Sequence, residues 1–205
     1  MRALALMLLV VALAGCGVSL SRPAPEKMSF LLHASRASAQ PAARAHAHTL
    51  RINRFDVAQP FSGKPLVYRT GETRFETDFY NEFVATPAGM LTERTAGWLR
   101  DARTFRNIIP MTLTIEHRYV LEATGVEMYA DLRDAAQPQA VLSIRFYLAR
   151  DDAQSAILYD KTIARRVPLG ARAPEAIAAG LDRALIGVLE TLEADLAALT
   201  LEGAN

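Results

Sequence analysis

The stretch from Ala140 to Ala149 constrains this chain most, because Leu142, Ile144, Phe146 and Leu148 recur at every second position. A period of two is that of a pleated strand with one buried face, since successive side chains of a strand point to opposite sides. Two neighbouring segments repeat the pattern. Within Arg118 to Arg133, the residues Val126, Met128, Ala130 and Leu132 oppose Glu127, Tyr129, Asp131 and Arg133. Ala156 to Val167 forms a third run, closed by Pro168-Leu169-Gly170. Long alternating strands joined by short turns predict antiparallel pairing with one face of the sheet covered.

Upstream segments are shorter. Met28 to Leu32 is an apolar run that predicts a first strand, and Leu50 and Ile52 alternate with Arg51 and Asn53. Leu66 to Arg69 and Arg74 to Tyr80 flank Thr70-Gly71-Glu72, which predicts a hairpin. In its second arm, Arg74, Glu76, Asp78 and Tyr80 share a face expected to be wet, while Phe75, Thr77 and Phe79 share one expected to be packed. Ala34 to His48, rich in Ala, Ser and Arg, reads as an exposed connection, and Pro60 to Pro65 as a turn-rich break.

Two helices are expected. The first begins near Thr86-Pro87, with threonine as cap and proline in the first turn, and places Leu91, Thr95 and Trp98 on one stripe. It ends before the segment Phe105 to Pro110, to which no element is assigned. The second runs from Pro174 to about Leu199, with Ile177, Leu181, Leu185, Val188, Leu192 and Leu196 on its apolar side. Gly180 and Gly187 lie inside it at a cost of about 1 kcal/mol each relative to alanine, so close packing along one side is expected. The fold class is therefore α+β: a single domain over residues 28–200, mainly antiparallel sheet with two helices packed on one face.

Charge and composition exclude several functions. With 23 Lys+Arg against 22 Asp+Glu there is no basic excess for a nucleic-acid backbone. A hydrophobic content of 51% excludes a disordered chain. The only cysteine, Cys16, excludes an intramolecular disulfide and any multi-cysteine metal site.

The position of Cys16 is informative. Arg2 precedes an apolar run from Ala3 to Ala14 that ends in small residues, the pattern of a secretory signal. A spanning helix needs about 20 apolar residues, and this run is shorter. Leu13-Ala14-Gly15-Cys16 resembles a bacterial lipobox, which implies removal of residues 1–15 and acylation of Cys16. Cleavage removes Arg2 and leaves a neutral mature chain, in which residues 16–27 are the lipidated cysteine and a flexible spacer. Gly17, where a retention signal would have Asp, suggests sorting to the outer membrane, with the domain on the periplasmic side.

No catalytic motif stands out. His46-Ala47-His48 offers two imidazoles and no third ligand, so no metal is expected. Glu72, Glu76 and Asp78 are the most enzyme-like group. Glu76 and Asp78 on one strand could run glycoside hydrolysis as an acid pair, or simply face water beside Arg69 and Arg74. Glu127, Asp131 and Arg133 read as a solvated or subunit-contact face. Asp160 and Arg165-Arg166 mark either a surface or a partner contact.

Taken together, Pro65-Leu66-Val67-Tyr68-Arg69, Phe75-Glu76-Thr77-Asp78-Phe79-Tyr80-Asn81-Glu82-Phe83 and Val126-x-Met128-Tyr129-x-Asp131-Leu132-Arg133 resemble the ABC-type transport auxiliary lipoprotein family. The resemblance extends from about Phe30 to Leu199. The resemblance implies a non-enzymatic, cofactor-free, homo-oligomeric subunit of a transporter with an MCE-domain protein, a permease and an ATPase. Such a subunit docks on the MCE component and assists lipid movement between inner and outer membranes. Tyr68, Arg69, Glu76, Asp78 and Tyr80 are the partner-contact candidates it suggests. A lipid-anchored hydrolase using Glu76 and Asp78, or a general outer-membrane assembly lipoprotein, are the competing readings.

Overall fold

The computed structural model describes residues 26–37, 40–43 and 45–201. The lipobox residues Leu13 to Cys16 and most of the spacer lie outside the described residues.

The three alternating segments form one antiparallel meander: β6 (Tyr119–Asp131), β7 (Gln139–Arg150) and β8 (Ile157–Pro168). Leu142, Ile144, Phe146 and Leu148 of β7 are all fully buried, as their spacing demands. On β6 the residues paired with this face change parity. Leu121 and Ala123 sit opposite Leu148 and Phe146, whereas Met128 and Ala130 sit opposite Leu142 and Ala140. An extra residue between Thr124 and Glu127 reconciles the two halves, and Gly125 there has φ +60°. Left-handed backbone is nearly free for glycine and costly for other residues, which suits it to such a bulge.

The other strands extend this meander along the remaining edge of β6. They are β1 (Met28–Phe30), β2 (His46–Ile52), β3 (Pro65–Arg69), β4 (Phe75–Phe83) and β5 (Phe105–Pro110). All eight belong to one sheet, in which β2 pairs with the start of β6 and β3 with its end. The sheet is mixed. Its long ladders, β6–β7 and β7–β8, are antiparallel, as is the β3–β4 hairpin. The flanking pairs β1–β4, β2–β5, β2–β6 and β3–β6 are parallel. Their connections are long enough to cross over, which a parallel pair requires.

Two helices cover the face bearing the β7 stripe. They are α1 (Pro87–Asp101) and α2 (Pro174–Ala198). The predicted stripe of α2 is buried from Ile177 to Leu196, and Leu91, Thr95 and Trp98 of α1 are buried as well. Gly180 lets α2 approach the sheet, since a Cβ there would stand 2.3 Å from Leu169 Cδ2 and 2.9 Å from Ala140 Cβ. Gly187 carries the aliphatic part of Arg165, whose Nε would be 3.1 Å from an added Cβ. Close packing thus explains both glycines. Trp98 Nε1 donates to Glu193 Oε2 at 2.7 Å and ties the helices together.

Four local expectations are corrected. Phe105 to Pro110 is a strand, because its partner β2 supplies a parallel ladder that no local pattern announces. The segment from Ala34 to His48 is not simply an exposed connection: the backbone N–H groups of His33 and Ala34 donate to Asp182 Oδ1 at 2.6 and 3.0 Å, and His46 is buried at the start of β2. Thr86 occupies the cap position of α1 without capping by its side chain, and its Oγ1 instead accepts from Arg54 Nη2 at 3.4 Å. Phe75, Thr77 and Phe79 of β4 are exposed rather than buried, beside a β1 of only three residues, although the Phe75 ring still meets Phe61 and Tyr129 edge-on.

Candidate functional site

The candidate residues Tyr68, Arg69, Glu76, Asp78 and Tyr80 all lie on the β3–β4 arm, where Tyr68 is registered with Glu76 and Arg69 with Phe75. The two strands fall out of step between Val67↔Thr77 and Pro65↔Glu82, so β4 must accommodate surplus residues there. Asp78 closes that bulge. Its Oδ1 accepts from the backbone N–H of Tyr80 at 2.8 Å and of Asn81 at 3.0 Å. Its Oδ2 accepts from the Asn81 amide at 2.8 Å and from the Tyr68 phenol at 2.5 Å. Partial burial alone would raise the Asp78 pKa, but these donors outweigh it and hold the carboxyl below its ordinary value. Burial, then the adjoining carboxylate, pushes the Tyr68 phenol up.

The three carboxylates do not converge. Glu76 accepts from Thr70 Oγ1 at 3.0 Å and pairs with Arg74 at 2.8 Å, as its exposed position beside that arginine predicts. Glu72 reaches Arg133 Nη1 at 2.7 Å and lies 3.6 Å from Arg69 Nη2. Arg69 itself donates to the carbonyls of Gly71 and Glu72 and stacks over Phe75. Tyr80 stays on the surface, edge-on to Phe79 with ring centroids 5.0 Å apart.

Asp131 departs from its expected solvated setting. It is buried and accepts from Arg133 through both oxygens, at 2.9 and 2.8 Å, with Arg166 at 3.5 Å. The Arg133 bond pulls its pKa down to about 2. Glu127 remains exposed. Asp160 is held by Arg145 across the β7–β8 ladder at 2.8 Å, and Arg165 turns onto α2 to meet Thr191. The two imidazoles diverge: His46 Nε2 lies 2.9 Å from the Leu196 carbonyl, while His48 stands edge-on to Tyr119.

A different surface escaped the sequence reading. Among the described residues β5 is an edge strand, and a groove of about 620 Å³ runs along it, lined by Arg100, Arg103, Phe105, Arg106, Ile109 and Ile115. None of the three arginines has an ion pair among the described residues. The connection after β5 exposes Met111, Leu113 and Ile115, alternating with Thr112, Thr114 and Glu116. That alternation was the available signal. It is that of a strand, but the segment has no partner strand among the described residues.

No family model matches the chain, and no curated protein matches it. Solved structures do. Protein XCC0632 from Xanthomonas campestris, described under the family model DUF330, shares 14% identity over 78% of this chain and 92% of its own, with a TM-score of 0.68. The likeness is one of fold. A second solved structure is 11% identical, covers 83% of this chain and 99% of its own, and has a TM-score of 0.64. PelC from Paraburkholderia phytofirmans, crystallised as a dodecamer, is more distant at 14% identity and a TM-score of 0.46, covering 78% and 95%. No helix among the described residues is long and apolar enough to cross a membrane.

Proposed function

We propose that this chain is a lipid-anchored periplasmic auxiliary subunit of an MCE-type ABC transport system, held by Cys16 and docking, as a homo-oligomer, on the MCE component to assist lipid transport between the two membranes. The lipobox Leu13 to Cys16 and the family resemblance of the β3–β4 and β6 segments support the assignment. The observation that carries the docking role is the β5 edge, where Arg100, Arg103 and Arg106, without ion pairs among the described residues, line one groove with the exposed Ile115, and the same connection exposes Met111 and Leu113. Apolar side chains exposed together, with charges at their border, are the usual composition of a protein contact. The permease and ATPase of the system supply energy transduction, and this chain supplies a rigid tethered platform.

A catalytic reading is less well supported by the geometry. Asp78 is an ionised carboxylate whose oxygens are both occupied by donors, a poor state for a general acid. Glu76 faces water beside Arg74.

The decisive experiment is affinity purification of the lipidated protein from membranes, alone and with Leu113→Asp and Ile115→Asp combined. Recovery of the MCE-domain protein with the wild type and its loss with the double variant is expected. If the wild type, recovered folded and lipidated, brings down no MCE-domain protein, the assignment fails and a general assembly role takes its place.

A further inference from the structure

A second apolar surface lies at the other end of the sheet, on β1 and β4. Phe79 is 74% exposed, and Tyr80 beside it is exposed too. Leu31 and Val84, at the far end of the same β1–β4 ladder, extend the apolar edge. A ring as large as that of Phe79 left in water is costly unless something covers it.

What covers it is indicated by where the chain arrives. Met28 is registered with Asn81, so the residues just before β1 run alongside Phe79, and Lys27 Nζ stands 5.0 Å from the centre of its ring. Only residues 17–25 separate Cys16 from the first described residue, Glu26. A stretch of that length spans at most about 35 Å. Lys27, and Phe79 against it, therefore stand within that reach of the acylated cysteine. Aromatic rings settle at the boundary between headgroups and acyl chains, and a lysine stem can lie along them with its ammonium among the phosphates.

We infer that the β1–β4 face, centred on Phe79 with Tyr80 and Lys27, is a bilayer-docking surface that seats the domain against phospholipid headgroups and fixes its orientation on the membrane. The inference rests on acylation of Cys16. It assigns the two apolar surfaces different occupants, lipid at β1–β4 and protein at β5. Orientation follows, because a domain held at one acylated residue alone would tumble, whereas a second contact restricts it.

The test uses the protein produced with its own signal, recovered from membranes and reconstituted into phosphatidylethanolamine–phosphatidylglycerol vesicles with or without brominated acyl chains. Phe79→Trp and, separately, Tyr80→Trp place a reporter on the surface. The natural Trp98 is 3% exposed and serves as the unquenched reference. At least a twofold loss of the added emission in brominated vesicles is expected, with no loss for Leu113→Trp. Flotation with the vesicles but no quenching of either reporter overturns the docking surface and leaves the anchor standing. Failure to float overturns the anchor, and this inference with it. Unquenched reporters, together with an intermolecular disulfide formed under oxidation by Phe79→Cys, would overturn it in favour of a contact with a second copy of this chain.

Discussion

Tyr68 and Asp78 meet across the β3–β4 arm, the phenol oxygen 2.5 Å from Oδ2, at the point where β4 carries its surplus residues. The carboxylate that looked most like half of an acid pair is the fastener of a bulge. Its remaining bonds all return to residues 80 and 81 of its own strand, so the group shapes backbone before it can do anything else.

Tyr68→Phe removes one donor from that carboxylate and leaves the ring in place. A loss of about 1 kcal/mol is expected in urea denaturation at neutral pH. The Asp78 carboxyl should titrate at higher pH in the variant, read by its side-chain carbon shift in NMR. An unchanged titration would show that the phenol does not govern this group.

Asp131 makes a prediction about acid. Its folded pKa is depressed to about 2, against an unfolded value of about 3.9. The stabilisation is therefore complete above about pH 4 and is lost as pH falls towards 2. Asp131→Asn should lower stability at pH 7 and flatten the decline between pH 4 and 2, measured by urea midpoints across that range.

Two glycines in helices should respond with opposite signs. Gly180→Ala forces a methyl against Leu169 and Ala140 and should destabilise by about 1–3 kcal/mol, despite alanine's better helix propensity. Gly97→Ala, in α1, meets nothing within 4 Å and should stabilise by up to about 1 kcal/mol. Denaturation midpoints of the two variants check the pair.

Glu193 receives the Trp98 indole at 2.7 Å and Arg36 at 2.6 and 2.8 Å, pinning the segment after β1 between the helices. Glu193→Ala leaves both donors without their acceptor and should cost about 2–3 kcal/mol. Trp98 is the only tryptophan in the chain, so a red shift and increased quenching of its emission by iodide would report the loosening directly.

Glu76→Gln supplies the contrast. Its ion pair with Arg74 is exposed, and such pairs contribute between zero and about 1 kcal/mol. Stability within about 0.5 kcal/mol of wild type is expected, together with unchanged recovery of an MCE-domain partner.

Sequence alone determined what depends on neighbours along the chain. The period-two stripe of β7 and the helical stripe from Ile177 to Leu196 each define a buried face by local geometry, so strands, helices and the α+β class followed. Gly180 and Gly187 were legible as packing sites for the same reason: their loss of helix propensity had to be offset by something close. Only the tertiary structure decided what depends on remote partners. β5 exists because β2 lies beside it, and the flanking ladders are parallel because of where long connections return. The surplus residues near Asp78 break the alternation that assigned Phe79 to the interior, and with only the short β1 beside it that ring stands in solvent. Periodicity says which side chains share a face; only the surrounding elements decide whether that face is covered.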